Sequence, residues 1–173
     1  EELKDLSNLL QAEDENLKTK VSKNSEKIDI ITYDIECPLE KPGYFGVLGK
    51  CYFTDTIGRN FDDSQELCRE MFPLGGQLFE PRDQTTNEEV AKAFGQIFNN
   101  YYAFIGITDK GSQGSYHYES DNGQLTISPP WHPGQPNRGN QRCVRFCESS
   151  KWQGKWCDQS CFSLRLSICE RTY

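Results

Sequence analysis

The stretch "CVRFCESSKWQGKWCDQSC", residues 143–161, holds four of the eight cysteines of the chain. Such a cluster is typical either of a zinc site or of disulfides. Zinc would require both thiolates of each C-x3-C pair on one side, as they are when four residues apart on a helix. However, the Val and Phe in "CVRFC" are typical of a strand, in which four residues span about 13 Å. Thiolates that far apart do not share one ion, so the pattern favours disulfides.

The bulk composition indicates a secreted, extracellular protein. An even number of cysteines is typical of disulfide-bonded extracellular chains. The 173 residues suffice for one domain with a core and an extra element at one end. A net charge of −7 gives no basic field, so we expect no nucleic-acid partner. The sequence has no apolar run of 18 residues and opens on "EELKDL", so we expect no membrane insertion and a mature form.

Before the first cysteine, apolar residues recur at helical spacing. Their steps of three and four form a heptad pattern with one stutter near Leu17, and Glu13 and Asn24 fill the gaps. We predict that residues 1–36 form a coiled-coil stalk, about 50 Å long, that makes a homo-oligomer through residues 3–35. The alternative is a single amphipathic helix packed on its own domain. The apolar positions are Leu3, Leu6, Leu10, Leu17, Val21, Ile28, Ile31 and Ile35.

The composition changes at Cys37 to aromatic, glycine and turn residues, so we assign residues 37–173 to one domain. Two helices are predicted first. "FDDSQELCREMF" has Asp62 as a candidate N-cap and carries Cys68 into the core, and "TTNEEVAKAFGQIF" has the capping-box spacing of Thr86 and Glu89. The apolar face of the second helix is predicted to comprise Val90, Phe94, Ile97 and Phe98.

Short strands are predicted after the helices. Four segments alternate strand-forming residues with turn residues: "YYAFIGITD", "GSYHYES", "RCVRFC" and "SLRLSICE". The predicted order is therefore a stalk, two helices and then a half rich in strands and loops.

Six segments occur in the order and at about the spacing found in one known family. They are "CREMFPLGGQLFEPRDQTTNEEV", "AFIGITDKGSQGSYHY", "WHPGQPN", "CVRF", "KWCDQSC" and "SICE". Over residues 37–170 the chain resembles the C-type lectin-like domain, in particular secreted oligomeric members of the invertebrate humoral type with a helical neck. The resemblance implies an α+β fold with two helices and mixed antiparallel sheets. It also implies a lower sheet that joins the domain's ends, and a long loop region that holds calcium in sugar-binding members.

The resemblance also implies three disulfides, which are Cys68–Cys169, Cys143–Cys161 and Cys37–Cys51. Two cysteines are then left over, Cys147 and Cys157. Their residue numbers sum to 304, as do those of the pair Cys143 and Cys161, and residues that face each other across an antiparallel hairpin have a constant sum. We therefore expect the remaining two to pair within the chain. A link between two chains is the alternative.

The stretch "WHPGQPNRGNQRC", residues 131–143, resembles the family's sugar-binding loop. Gln135 and Asn137 match a Glu-Pro-Asn or Gln-Pro-Asp tripeptide, whose outer side chains bind calcium and sugar hydroxyls and whose proline is cis. Gln141 and Asp158 match two further ligand positions. By this resemblance all four are candidate metal ligands, and only Asp158 keeps a carboxylate.

Calcium requires six to eight oxygens, and its affinity depends on how many are charged. The loop has no Asp or Glu, but it has Arg138 and Arg142. In the auxiliary calcium site Asp109 matches the family, whereas Gln113 and Arg142 replace acids. We therefore expect weak calcium binding.

The alternative is a loop in which Arg142 takes the place of the ion. Its guanidinium would donate hydrogen bonds to Asp158, Gln141 and Asn137. A solvated arginine without a partner is the simpler interpretation.

The sugar preference implied by the resemblance is galactose-type or mixed, because Gln135 matches galactose-selecting members and Asn137 matches mannose-selecting ones. His132 and Trp152 are candidates for stacking on a sugar ring. The simpler interpretations are that His132 is an ordinary loop residue and that Trp152 packs on the hairpin or the core.

These features predict a secreted lectin that binds glycans on cell surfaces or glycoproteins and agglutinates its targets through several domains on one stalk. The alternative is a calcium-independent lectin-like domain that binds a protein or another non-sugar surface. An enzyme is not expected, because the chain has two histidines and no nucleophile with a base at motif spacing.

Overall fold

The structure is a computed structural model that describes residues 15–23, 37–98, 102–147 and 154–172. The chain divides into two units, Glu1–Glu36 and Cys37–Tyr173. In the first unit residues 15–23 form helix α1, in which Leu17 and Val21 are 64% and 63% exposed. The rest of the predicted coiled coil lies outside the described residues, so the stalk stays a prediction. None of the helices in the described ranges has the length and apolar character needed to cross a membrane.

Both helices predicted in the second unit are confirmed, as α2 (Phe61–Met71) and α3 (Gln84–Ile97), but both predicted N-caps are wrong. Asn60 caps α2 by accepting from the backbone N–H of Asp63, and Asp83 caps α3 by accepting from that of Thr86. An oxygen at the N-cap reaches the N–H three residues on, so Thr86 is the bonded residue and not the cap.

The buried face of α3 also differs from the prediction. Val90 and Phe94 are buried as expected and Phe98 packs against the core, whereas Ile97, the last residue of the helix, is 45% exposed. Asn87 is buried instead, since its side chain accepts a hydrogen bond from Trp156 Nε1 and donates one to the carbonyl of Gly154, both at 2.8 Å. A polar side chain with both partners inside can replace an apolar one.

The predicted lower sheet is confirmed and joins the start of the domain to its end. Its strands are antiparallel in the order β1-β2-β9-β3. They are β1 (Tyr44–Val47), β2 (Lys50–Phe53), β3 (Gly76–Leu78) and β9 (Cys169–Arg171).

The upper sheet has the order β5-β4-β6-β7, with β8 pairing in parallel to β4. Each of the four predicted strand segments contains a strand, whereas β1, β2, β3 and β7 were not among those segments. The strands of the upper sheet are β4 (Ala103–Thr108), β5 (His117–Tyr118), β6 (Cys143–Phe146), β7 (Trp156–Gln159) and β8 (Leu166–Ser167).

All four expected disulfides are present, but the argument from a constant sum is wrong. In the β6–β7 hairpin Arg145 faces Cys157, which gives a sum of 302 and not 304. Each disulfide of this hairpin therefore joins residues two positions out of register, with Cα separations of 5.2 and 5.3 Å that a disulfide accommodates. The pairs are Cys37–Cys51, Cys68–Cys169, Cys143–Cys161 and Cys147–Cys157.

Trp156 on β7 anchors the part of the core that supports the long loops. It is fully buried, and its ring meets Trp131 edge-on at a centroid distance of 5.8 Å. The other face of the core surrounds the buried Cys68–Cys169 disulfide, with Phe61 and Phe104 in edge-to-face contact. The residues that follow Trp156 along β7 are thus held in a fixed position.

Candidate functional site: the loop of residues 131–142 and Asp158

The loop begins on a rigid base. The backbone N–H of His132 donates to the carbonyl of Trp156, and the N–H of Trp156 donates to the carbonyl of Pro130, both at 3.0 Å. The Trp131 ring also contacts the Tyr116 ring, with centroids 4.7 Å apart. Residues 131–142 together with Asp158, named here the loop site, are therefore attached to β7 at their start.

Asp158 is hydrogen-bonded to three residues of the loop. Its carboxylate is 1% exposed and accepts hydrogen bonds from the backbone N–H groups of Asn137 (3.1 Å) and Arg138 (2.6 Å), one on each oxygen. The N–H of Asp158 donates to Gln135 Oε1 at 3.3 Å. The Gln135–Pro136 bond is cis, as the resemblance implied. The structure thus brings together three of the four residues predicted as metal ligands.

The fourth predicted ligand, Gln141, is half-buried just before β6 and has no hydrogen bond to the other three among the described residues. His132 is also half-buried, and its Nδ1 lies 2.8 Å from the carbonyl oxygen of Pro133. Trp152 lies outside the described residues. The role of His132 and Trp152 in stacking on a sugar therefore stays a prediction.

Arg142 lies against Asp109 and not against Asp158. Its Nη1 is 3.5 Å from Asp109 Oδ2, and its carbonyl accepts from the N–H of Asp109 at 3.0 Å. The reason is strand pairing: Asp109 follows β4, Arg142 precedes β6, and Thr108 faces Cys143 in that pair. Arg142 therefore lies beside Asp109, the residue that matches the auxiliary calcium site, and the alternative in which it bonds to Asp158, Gln141 and Asn137 is wrong.

Tyr116 is a site residue that the sequence reasoning missed. Its hydroxyl is buried and has no hydrogen-bond partner among the described residues. Burial, reinforced by the charges of Asp109 and Asp158, raises the pKa of Tyr116 above its usual value. A tyrosine is protonated at neutral pH in any case, and this hydroxyl is buried, so Tyr116 contributes to the site through the packing of its ring against Trp131. Its proximity to these charges depends on packing that no local motif reveals.

The side chains present do not fit a tight calcium site. Asp158 is the one carboxylate of the loop site, and both of its oxygens already accept backbone N–H groups. The Gln135 carbonyl oxygen accepts a further N–H, and Asp109 is paired with a guanidinium. Among the described residues, no group of three or more His, Cys, Asp or Glu side chains is placed to hold a metal. Calcium needs more free and charged oxygens than this.

Comparison with known proteins agrees with the fold. The family model described as the Lectin C-type domain matches residues 57–171. Pulmonary surfactant-associated protein D of the pig, Sus scrofa, is 33% identical over 134 residues, which are 75% of this chain and 32% of the pig protein. The chain thus spans about a third of that relative's length.

Solved structures share the same fold. Human lithostathine has a TM-score of 0.67 at 22% identity, covering 81% of this chain and 93% of its own. The carbohydrate-recognition domain of the human scavenger receptor C-type lectin has a TM-score of 0.65 at 20% identity, covering 80% and 100%. The match to the Lectin C-type domain confirms the prediction of a non-enzymatic protein. The chain belongs to the C-type lectin domain family.

Proposed function

We propose that this chain is a secreted glycan-binding lectin whose sugar site is the loop site and whose calcium dependence is weak. The observation that carries the proposal is the arrangement around Asp158, which holds the Gln135–Asn137 segment in a fixed conformation through backbone hydrogen bonds. A loop that is already ordered loses less entropy when it binds a ligand.

The two amides supply the chemistry that sugar hydroxyls need. Gln135 uses its carbonyl oxygen internally, which leaves its NH2 group as a donor. Asn137 is exposed and, within the described ranges, its side-chain amide is not hydrogen-bonded, so it offers both a donor and an acceptor. Together they can bind neighbouring hydroxyls of a galactose-type or mixed ligand without an ion between them.

Relatives support a carbohydrate as the ligand. The human scavenger receptor domain is named a carbohydrate-recognition domain, and the similar domain of cow CD23 has been solved in the presence of the oligosaccharide GlcNAc2Man3. The four disulfides agree with an extracellular location, where cell-surface glycans and glycoproteins would be the partners.

We further propose that the chain is a homo-oligomer joined through residues 3–35 and that it agglutinates its targets. Leu17 and Val21, four residues apart on α1, present exposed apolar side chains that a second copy would cover. Several domains on one stalk would raise a weak single-site affinity by multivalency. Sedimentation of the full chain, compared with a chain lacking residues 1–36, tests the oligomer.

Calorimetric titration with galactose and with mannose, with and without millimolar calcium, tests the sugar site. We expect binding that changes by less than about threefold on chelation, or about 0.65 kcal/mol. Asn137→Ala should weaken binding, whereas Asn140→Ala, an exposed amide in the same loop, is the matched control and should not. Binding that requires calcium, or that is unchanged by Asn137→Ala, would refute this mechanism.

Recognition of a protein or another non-sugar surface is the second candidate. It is favoured by the use of both Asp158 oxygens and of Arg142 in internal contacts, which leaves the family's ion positions without free carboxylates. The absence of heat with either sugar, with and without calcium, would support this candidate over the lectin proposal.

A further inference from the structure

We propose, on the basis of the lectin function proposed above, that the loop site prefers acidic glycans and that Arg138 binds their anionic group. The anionic group would be a carboxylate or a sulfate ester, which present similar oxygens to a guanidinium. Gln135 and Asn137 would bind ring hydroxyls while Arg138 binds the charged substituent.

Arg138 differs from the other arginines of the chain. Among the described residues its guanidinium forms no hydrogen bond, ion pair or ring contact, although its backbone N–H is bonded to Asp158. The other arginines all have a carboxylate, amide or carbonyl partner or an aromatic ring. They are Arg59, Arg69, Arg82, Arg142, Arg145, Arg165 and Arg171.

The position of Arg138 is fixed by the backbone. Its φ of +64° is a conformation in which an arginine is uncommon, and its N–H is held at 2.6 Å from Asp158 Oδ2. The side chain runs towards the loop that follows β4, because a β-carbon placed on Gly114 would lie 3.7 Å from the Arg138 Cζ. The backbone of Arg138 therefore belongs to the loop site, and its guanidinium lies beside Gly114 in the loop that follows β4.

The loop site holds two arginines, Arg138 and Arg142, and one carboxylate, that of Asp158. Residues 131–143 contain no Asp or Glu. Asp158 directs its oxygens to backbone N–H groups, and Asp109 is 1% exposed and paired with Arg142. The loop site therefore presents a local positive charge on a chain of net charge −7, together with amide donors. A guanidinium bonded to an anion forms stronger, charge-assisted hydrogen bonds than it forms with a neutral hydroxyl.

The test compares matched sugars on the full chain by calorimetric titration: galactose, galacturonic acid and galactose 6-sulfate. We expect at least one acidic sugar to bind roughly fivefold tighter than galactose. This preference should fall at high salt, because ions screen an exposed charge. Comparing the two acidic sugars distinguishes a carboxylate ligand from a sulfate ligand.

Three variants identify the residue. Arg138→Asn removes the charge with a residue that tolerates positive φ and should abolish the preference while galactose still binds. Arg138→Lys keeps the charge but not the two-pronged geometry and should retain part of the preference. Arg69→Gln removes another exposed charge, on α2, and is the control, which should bind like the unmodified chain.

The outcomes separate this inference from the proposed function. If galactose binds but neither acidic sugar binds more tightly, or if the preference survives Arg138→Asn, the inference is wrong and the lectin function stands. If none of the three sugars binds, the inference is wrong, and the titration with mannose then decides whether the lectin function is wrong as well.

Discussion

The loop site and the lower sheet each bury a carboxylate, but they surround it differently. Asp158 in the loop site accepts two backbone N–H groups and lies near arginines. Glu170 on β9 of the lower sheet is 7% exposed and accepts from Gln77 Nε2 and from the backbone N–H of Glu80. Burial, reinforced by the charge of the nearby Glu80, raises the pKa of Glu170 to about 7.

Because their surroundings differ, we expect the two buried carboxylates to have separate roles. In the loop site the carboxylate of Asp158 accepts two backbone N–H groups of the loop that we propose to bind sugar. In the lower sheet the Glu170 carboxylate, on β9, accepts from Gln77 on the neighbouring β3. Protonation of Glu170 would relieve its repulsion with Glu80. We therefore expect binding to depend on the first carboxylate and the pH dependence of stability to depend on the second.

The largest expected effect concerns the disulfide next to Glu170. Replacing Cys68 and Cys169 together by Ser opens a loop closed over a separation of 101 residues, which should cost about 4.7 kcal/mol of unfolding free energy. Replacing Cys147 and Cys157, which are ten residues apart, should cost less, about 3 kcal/mol. Urea denaturation measures both. Equal losses would contradict the loop-length argument.

The second prediction uses the pKa of Glu170. Its folded pKa of about 7 lies above the ordinary 4.5, so the folded state binds the proton more tightly than the unfolded state. The contribution of this group to stability is present below pH 4.5 and is lost as the pH rises to about 7, by up to about 3 kcal/mol. Urea denaturation at pH 5 and pH 7.5 should show the loss, and Glu170→Gln should remove it.

Below about pH 4 we expect the free energy of unfolding to depend on pH in the opposite direction, because of two other carboxylates. Bonds to its charged form lower the pKa of Asp83 at the start of α3, and the same is true of Asp121. Their contributions are present above pH 3.8 and are lost as the pH falls further. If the Glu170→Gln variant still loses stability between pH 5 and pH 7.5, that loss does not originate from Glu170 in the lower sheet.

The sequence predicted contacts made by short motifs better than contacts made by strand pairing. Three disulfides followed from the resemblance and the fourth from the two cysteines left over, yet the predicted register of the hairpin was wrong by two positions, because a disulfide tolerates a diagonal pair. The N-caps were misplaced because several oxygen-bearing residues precede each helix and any of them can cap it.

The candidate site was predictable only in part for the same reason. Gln135, Asn137 and Asp158 belong to recognisable segments, and the structure brings them together. The ion pair between Arg142 and Asp109 exists because β4 pairs with β6, and the burial of Tyr116 depends on its packing against Trp131. Neither can be derived from local spacing.

The third prediction concerns the loop site alone. Asp158→Asn replaces an oxygen that accepts an N–H with an NH2 group that cannot, at a position that is 1% exposed. We expect a loss of about 2 kcal/mol of unfolding free energy and the loss of sugar binding. Glu170→Gln is the matched change in the lower sheet and should leave sugar binding unchanged. Calorimetric titration with galactose measures both variants. If both lose binding, the two carboxylates do not have separate roles.

The smallest expected effect compares one ion pair from each region. Arg142 in the loop site is 3.5 Å from Asp109 and is 35% exposed, whereas Arg82, which follows β3 of the lower sheet, is 2.6 Å from Glu80 and also lies over the Tyr118 ring. An exposed guanidinium at a long distance stabilises little, so Arg142→Gln should cost less than about 1 kcal/mol.

Arg82→Gln should cost more than Arg142→Gln, since it removes a shorter bond to a buried carboxylate together with a cation–π contact. Urea denaturation at pH 7.5 ranks the two variants. The reverse order would mean that Arg142 stabilises the fold more than its distance from Asp109 indicates. The same Arg142→Gln variant should keep its affinity for galactose in the presence of a chelator, because Asp158 continues to hold Asn137 and Arg138 through their backbone N–H groups.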